Sequence, residues 1–204
     1  IVAADMEESP PRRFADAVGD SVEYRTGDIT EEGYLSDLLS KPYDRIFHFA
    51  AIVGVSDYVS NPLEITEVNV IATKHILEQI QDQDTRFVFT STSEIYGKNP
   101  EVPWKESEDR VLGPPTIDRW SYSSGKSVCE HMIHGLAAAD NPFSATVVRP
   151  FNLYGPGQRP NFVVPAFVDA VVNGDRPVVY DDGQQTRCFT YINDFIDGLL
   201  LASQ

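Results

Sequence analysis

Short apolar runs alternate along the chain with longer stretches in which apolar residues recur every three or four positions. "IVAAD", "SVEYRTGDI", "DRIFHFAA", "RFVFTST" and "FSATVVRP" are the short runs, and each predicts a strand. "EEGYLSDLLS", "PLEITEVNVIATKHILEQIQ" and "SYSSGKSVCEHMIHGLAAA" carry the helical period, and "DFIDGLLLASQ" reads as one more helix. Strands that are apolar throughout are covered on both faces, and their alternation with helices implies parallel pairing. The expected fold is therefore α/β, a doubly wound parallel sheet. Such sheets bind ligands at the carboxyl ends of their strands. No internal repeat or low-complexity segment interrupts the pattern.

A dinucleotide-binding sheet opens with a strand, a glycine-rich turn and a helix. No GxGxxG or GxxGxxG occurs here. "IVAAD" instead resembles the second strand of such a sheet, so a first βα unit of about thirty residues is expected upstream. The closing helix is likewise expected to lead into further chain.

The 204 residues are 42% hydrophobic and 11% aromatic, the composition of a packed globular protein. The formal net charge of −15 argues against nucleic acid as a partner, because phosphate binding needs a basic surface. No apolar run reaches the length of a membrane span, so no membrane association is expected. Cys129 and Cys188 stand far apart and outside any ligand spacing, which reads as reduced thiols in a cytoplasm. His131 and His134 share a helix without a third ligand, so no metal is assigned.

Candidate chemistry falls at strand ends. Asp5 closes the first strand, where a carboxylate can accept from both ribose hydroxyls of an adenosine and so favours NAD over NADP; capping a helix is the other role open to it. Gly27, Asp28 and Ile29, and then Ala50 and Ala51, fall at the next strand ends, where small residues let a flat cofactor approach the backbone; close helix–sheet packing is the other explanation for the alanines. Tyr122 and Lys126 stand four apart in "YSSGK" and share a helix face. A buried ammonium beside a phenol favours the phenolate, which can take a proton from a sugar hydroxyl while hydride leaves for NAD+. Thr92, Ser93 and Glu94 follow the fourth strand, where an ordinary polar turn would also suit. Their position at the end of a buried strand favours chemistry: Thr92 to bond the hydroxyl that Tyr122 deprotonates, Ser93 and Glu94 to face the rest of the sugar.

"STSEIYG", "YSSGK", "VVRPFNLYGPGQ" and "DDGQQTRCFTYINDF" together resemble the extended short-chain dehydrogenase/reductase family of nucleotide-sugar enzymes, over nearly the whole chain. The resemblance implies a Rossmann-like fold and NAD as cofactor, with residues 1–150 as the NAD-binding domain, 151–185 as a substrate-binding segment and 186–204 as a return to the first domain. It adds Asn69, Thr90 and Pro150 to the cofactor side. To the substrate side it adds Tyr58, Asn152, Tyr180 and Arg187; Arg187 lines the reacting end with Glu94, and a diphosphate ligand is the other role open to it. Asn152, Tyr180 and Tyr58 can also be read as a turn residue, a packing residue and a helix-start surface residue. The helices around Leu77 and Met132 resemble those that pair subunits in the family, so a homodimer is expected.

Among the branches, the dTDP-glucose 4,6-dehydratases carry Thr-Asp-Glu, and Ser93 here replaces the acid. Thr-Ser-Glu resembles both UDP-glucuronate decarboxylases and GDP-mannose 4,6-dehydratases. "GPPTIDRWSYSSGK", "RCFTYI" and "DYVSNP" resemble the bacterial decarboxylase branch that makes a 4-keto-pentose. The expectation is a UDP-glucuronate decarboxylase or close relative, with a 4-epimerase, a 4,6-dehydratase or a non-catalytic NAD-binding module as the alternatives. Thr92, Tyr122 and Lys126 together disfavour the last.

Overall fold

The computed structural model describes residues 1–53, 61–140 and 142–204. They form two compact units, Ile1–Val147 and Val148–Gln204. In the first unit, β1 (Val2–Asp5) and β2 (Glu23–Thr26) run parallel, with Val2 opposite Glu23 and Asp5 opposite Thr26. A second ladder has the order β3-β4-β5, from Arg45–His48, Arg86–Thr90 and Ser144–Val148. Its β3 and β4 are parallel, with Arg45 opposite Arg86 and His48 opposite Phe89. The parallel α/β architecture expected from the sequence is the one observed.

The helices connect these strands. α1 (Arg12–Val18) follows β1 and α2 (Glu32–Leu38) follows β2. Between β3 and β4 lie α3 (Pro62–Thr66), a π-helical turn (Glu67–Ile71) and α4 (Ala72–Ile80). α5 (Arg119–Ala137) separates β4 from β5. The sequence predicts one uniform helix across "PLEITEVNVIATKHILEQIQ"; the structure inserts the wider turn around Asn69. That turn leaves the Asn69 carbonyl accepting from the Thr73 hydroxyl at 2.9 Å and the Cys129 thiol at 3.2 Å. Helix α1 escapes the pattern because it is short and its N-cap is Pro11, which offers no side-chain cap.

The core of the first unit gathers Leu35 and Leu39, Ile76, Leu77 and Ile80 of α4, Phe87 and Phe89 of β4, and Cys129 and Ile133 of α5. Phe87, Val88 and Phe89 are wholly buried, as expected for the middle strand of a ladder covered on both faces. Each such side chain contributes about 1.5–3 kcal/mol of apolar burial. This anchoring matters because the polar segment begins immediately after β4.

The second unit pairs β6 (Asn152–Tyr154) with β7 (Phe189–Tyr191) in parallel, and carries α6 (Val163–Val172) and α7 (Ile192–Ala202). Tyr154 meets Phe189 edge-on at 6.2 Å and Tyr191 at 5.5 Å. The sequence "VVPAFVDAVV" is too apolar all round for a helical stripe to stand out, which is why α6 is not legible from periodicity. No helix among the described residues is long and apolar enough to cross a membrane.

Candidate active site

The polar segment after β4 is bound to helix α5 at several points. β4 stops at Thr90, whose carbonyl accepts from the Lys126 ammonium at 2.8 Å. Ser91 donates its hydroxyl to the Glu130 carboxylate. Thr92 caps a single 3-10 turn, Ser93–Tyr96, by accepting the Glu94 N–H on its hydroxyl oxygen at 3.2 Å. Thr92 thus closes a turn, as the ordinary polar-turn alternative also has it, and is 8% exposed. Ser123 donates to the Glu94 carbonyl at 2.6 Å, and Arg110 reaches the carbonyls of Ile95 and Ser123, both at 3.3 Å. The Glu94 carboxylate receives Arg119 at 3.1 and 3.2 Å. With side chains 57% and 37% exposed, that ion pair stabilises the fold by about 1 kcal/mol at most. Its effect is to hold the carboxylate in place. Ser93 is half-buried within the same turn.

Tyr122 and Lys126 share the face that the four-residue spacing predicts. The Lys126 ammonium lies 6.0 Å from the Tyr122 ring centre and 4.5 Å from that of Phe89. Lys126 is 2% exposed. Burial lowers its pKa from 10.5 to about 8, an effect the neighbouring Cys129 partly offsets. A value near 8 leaves the ammonium about tenfold in excess over the free amine at neutral pH. The Phe89 face supplies a cation–π contact worth about 1 kcal/mol in place of lost hydration.

The neighbouring strand end is built by Asn69. Its amide nitrogen donates to the Ile52 carbonyl at 3.0 Å and its amide oxygen accepts the Ile52 N–H at 2.8 Å. Both ends of a side chain 2% exposed are thus committed to the segment after β3 that carries Ala50 and Ala51. His48 stands beside the Thr73 hydroxyl, at 2.9 Å, and burial and the Lys126 charge push its pKa down to about 3. Thr73 gives its proton to the Asn69 carbonyl, so the neutral imidazole donates to Thr73.

Asp5 ends β1 with an exposed carboxylate that accepts the Glu7 N–H at 3.1 Å. Asp28 accepts the Thr30 N–H and hydroxyl, both at 2.8 Å, and so caps the turn ahead of α2, beside the half-buried Ile29. Gly27 lies against the Tyr34 ring, which occupies the space a side chain would need. Pro150, Asn152, Tyr180 and Arg187 belong to the second unit. Within it Asn152 donates to the Cys188 carbonyl at 3.1 Å and Arg187 to the Thr186 carbonyl at 2.7 Å. Tyr180 is 78% exposed. Tyr58 lies outside the described residues.

Five participants carry no role in the motif reading: Arg110 and Glu130 lie outside the quoted motifs, and Ser91, Arg119 and Ser123 lie inside them. Arg119 was within reach, since it precedes Tyr122 by three and therefore shares its side of a helix. Glu130 extends the Tyr122–Lys126 spacing by another four. Arg110 comes from a connecting loop, and no periodicity marks it.

The NAD dependent epimerase/dehydratase family model matches residues 1–204. The chain belongs to this family. Family members include NAD-dependent nucleotide-sugar decarboxylases, epimerases and dehydratases. One curated relative, a UDP-N-acetyl-alpha-D-glucosaminuronate decarboxylase of Bacillus cytotoxicus, is 37% identical over 177 residues, 85% of this chain and 54% of the relative. A probable UDP-glucuronate 4-epimerase of Rhizobium meliloti is 34% identical over 160 residues, 78% of this chain and 45% of the relative. Among solved structures, MoeE5 in complex with UDP-glucose and NAD superposes with a TM-score of 0.81 at 30% identity, covering 100% of this chain and 63% of that one. The chain thus spans about half the length of these curated family members.

Proposed function

We propose that the protein carrying this chain oxidises C4 of a nucleotide-bound sugar with NAD+, and that the sugar is a uronate which then loses its carboxylate as CO2. The observation that carries the reading is the stitching of Thr90, Ser91 and Glu94, the residues on either side of Thr92, to the helix of Tyr122 and Lys126. It supports a single locus for a phenol, an ammonium, a threonine hydroxyl and a carboxylate. The residues fit a bound nicotinamide ribose. The Thr90 hydroxyl is buried without a hydrogen-bond partner, and Lys126 has ammonium protons beyond the one on the Thr90 carbonyl. Asp5, Asp28, Ile29, Ala50, Ala51 and Pro150 would complete the cofactor side, and Asn69 would hold the Ala50–Ala51 segment in shape. Bound there, NAD+ supplies the acceptor for the C4 hydride.

This chain's residues supply the rest. Tyr122, its phenolate favoured by the Lys126 cation, takes the proton of the C4 hydroxyl. Thr92 orients that hydroxyl. The product is a β-keto acid, and the C5–carboxylate bond breaks with its electrons taken up by the C4 ketone as an enolate. C5 is then reprotonated. Glu94, held by Arg119, is placed to face the carboxylate end of the sugar, and Ser93 its flank. Asn152, Tyr180 and Arg187 of the second unit would hold the remaining sugar and diphosphate. In this reading the first unit carries the cofactor and the second contributes to substrate binding.

The decarboxylase reading is favoured by the flanking text "GPPTIDRWSYSSGK" and by the identity to the Bacillus cytotoxicus enzyme. The 4-epimerase reading is favoured by the identity to the Rhizobium meliloti protein. Incubating the intact protein with NAD+ and UDP-glucuronate, UDP-N-acetylglucosaminuronate or UDP-glucose separates them. Carbon dioxide from a uronate supports decarboxylation, and inversion at C4 without CO2 overturns it. The surface where α4 and α5 meet, with Lys74, Glu78, His131, Met132 and Leu136 around the buried Leu77, would pair subunits; a monomeric mass in solution would refute that.

A further inference from the structure

Glu130 is a carboxylate inside the fold that none of these steps uses. It is 5% exposed, and it stands four residues after Lys126 and eight after Tyr122, on one face of α5. Its Oε1 accepts the hydroxyl proton of Ser91, which is 2% exposed. The residue before Ser91 gives its carbonyl to Lys126 at 2.8 Å. The residue after it is Thr92, whose side chain caps the next turn. Consecutive residues at the strand end are therefore fastened to consecutive turns of the helix. One such bond would leave the strand end free to pivot about it. Two bonds, one residue apart on the strand and one turn apart on the helix, fix both its position and its direction.

A buried carboxylate is costly to desolvate and is retained where its acceptor capacity is used. Being acceptor-only when ionised, it forces the Ser91 proton toward the helix and sets the rotamer of the residue that leads into Thr92. We propose that Glu130 is a positioning residue that sets the Thr92 hydroxyl against Tyr122 by anchoring Ser91. The inference rests on the reading that Thr92 and Tyr122 act on one sugar hydroxyl. A glutamine at this position keeps an oxygen acceptor of the same reach, whereas a leucine keeps only the bulk.

The test compares Glu130→Leu, Glu130→Gln and Ser91→Ala in the intact protein, by steady-state kinetics on the nucleotide sugar that wild type turns over and by amide hydrogen exchange. Glu130→Leu should lower kcat about 10- to 100-fold with KM changed less than about threefold, as small misplacements at a reacting centre do. It should also speed exchange across residues 91–97. Glu130→Gln should restore both to within about fivefold of wild type. Ser91→Ala should reproduce the leucine variant, and the double variant should be no worse than either single one, since both remove the same bond. If Glu130→Leu does not fold, the milder Ser91→Ala carries the test on both readouts. Wild-type kcat and unchanged exchange at 91–97 in Ser91→Ala would overturn the proposal, as would losses that multiply in the double variant. If wild-type protein turns over no nucleotide sugar, the catalytic reading fails by itself, and exchange at 91–97 still decides whether Glu130 anchors the turn.

Discussion

Lys126 donates its ammonium to the carbonyl of Thr90 at 2.8 Å, two residues ahead of Thr92 and one helical turn beyond Tyr122. The bond joins the last residue of a strand whose apolar centre is wholly buried to the helix that carries the candidate base. The charge therefore has a structural duty as well as a chemical one. Burying it costs stability, and the cost depends on pH.

The folded Lys126 pKa is about 8, against 10.5 for an unburied lysine. Between those values the unfolded chain binds more protons than the folded one, so stability should rise with pH across that window. The penalty is present in full below about pH 8 and absent above about 10.5, a difference worth about 3 kcal/mol. Lys126→Met should flatten the rise while leaving a folded protein with sharply reduced sugar oxidation. Denaturant midpoints across the window check this, and an undiminished slope in the variant would contradict it.

His48 behaves in the same sense at acid pH. Its folded pKa of about 3 lies below the ordinary 6.5, so the unfolded chain again binds more protons between the two. Stability should fall as pH drops below about 6.5 and continue to fall toward 3. The ring sits 5.9 Å from both Phe87 and Phe89, so His48→Phe keeps an aromatic there and should weaken the acid sensitivity. Melting temperatures at neutral and mildly acid pH measure it; an identical acid loss in the variant would assign the loss to other groups.

Asn69→Leu should destabilise by about 1–3 kcal/mol, because it strands the N–H and carbonyl of Ile52. It should also weaken NAD+ affinity through the displaced Ala50–Ala51 segment. Chemical unfolding and a cofactor titration report the two effects separately, and a stable variant with loosened NAD+ binding would place Asn69 in direct contact with the cofactor instead.

These side chains differ in how far the sequence reveals them. The strands of the first unit, and its helices apart from α1, follow from alternating apolar runs, and the Tyr122–Lys126 relation follows from a four-residue spacing, because both are local and periodic. Asn69 lies inside a helical pattern, and nothing in that pattern announces a π-helical turn whose amide reaches back to Ile52. Arg110 and Ser91 act through partners far along the chain, Ser123 and Glu130 among them, so their roles exist only in the folded arrangement. The helix at Val163–Val172 is hidden for the opposite reason: with apolar residues on every side, its period carries no contrast.

Gly97 is a place where the turn after Thr92 tolerates no side chain. It adopts φ +63°, and the Val111 carbonyl occupies the space that a Cβ would need. Gly97→Ala should cost about 1–3 kcal/mol through strain and displaced backbone. Because the turn holds Glu94, sugar oxidation should fall with it. A variant with wild-type stability in chemical unfolding would show that the segment around Val111 yields.

Tyr122 bears the central chemical claim, and one comparison tests it most directly. Intact wild-type and Tyr122→Phe proteins are mixed rapidly with NAD+ and each candidate uridine-diphosphate sugar, and the near-ultraviolet absorbance of reduced nicotinamide is followed. Wild type should reduce NAD+ with at least one of these sugars. The phenylalanine variant should bind both ligands as tightly and reduce NAD+ at least about 100-fold more slowly. Reduction at the wild-type rate in Tyr122→Phe would show that the proton leaves the sugar by another route.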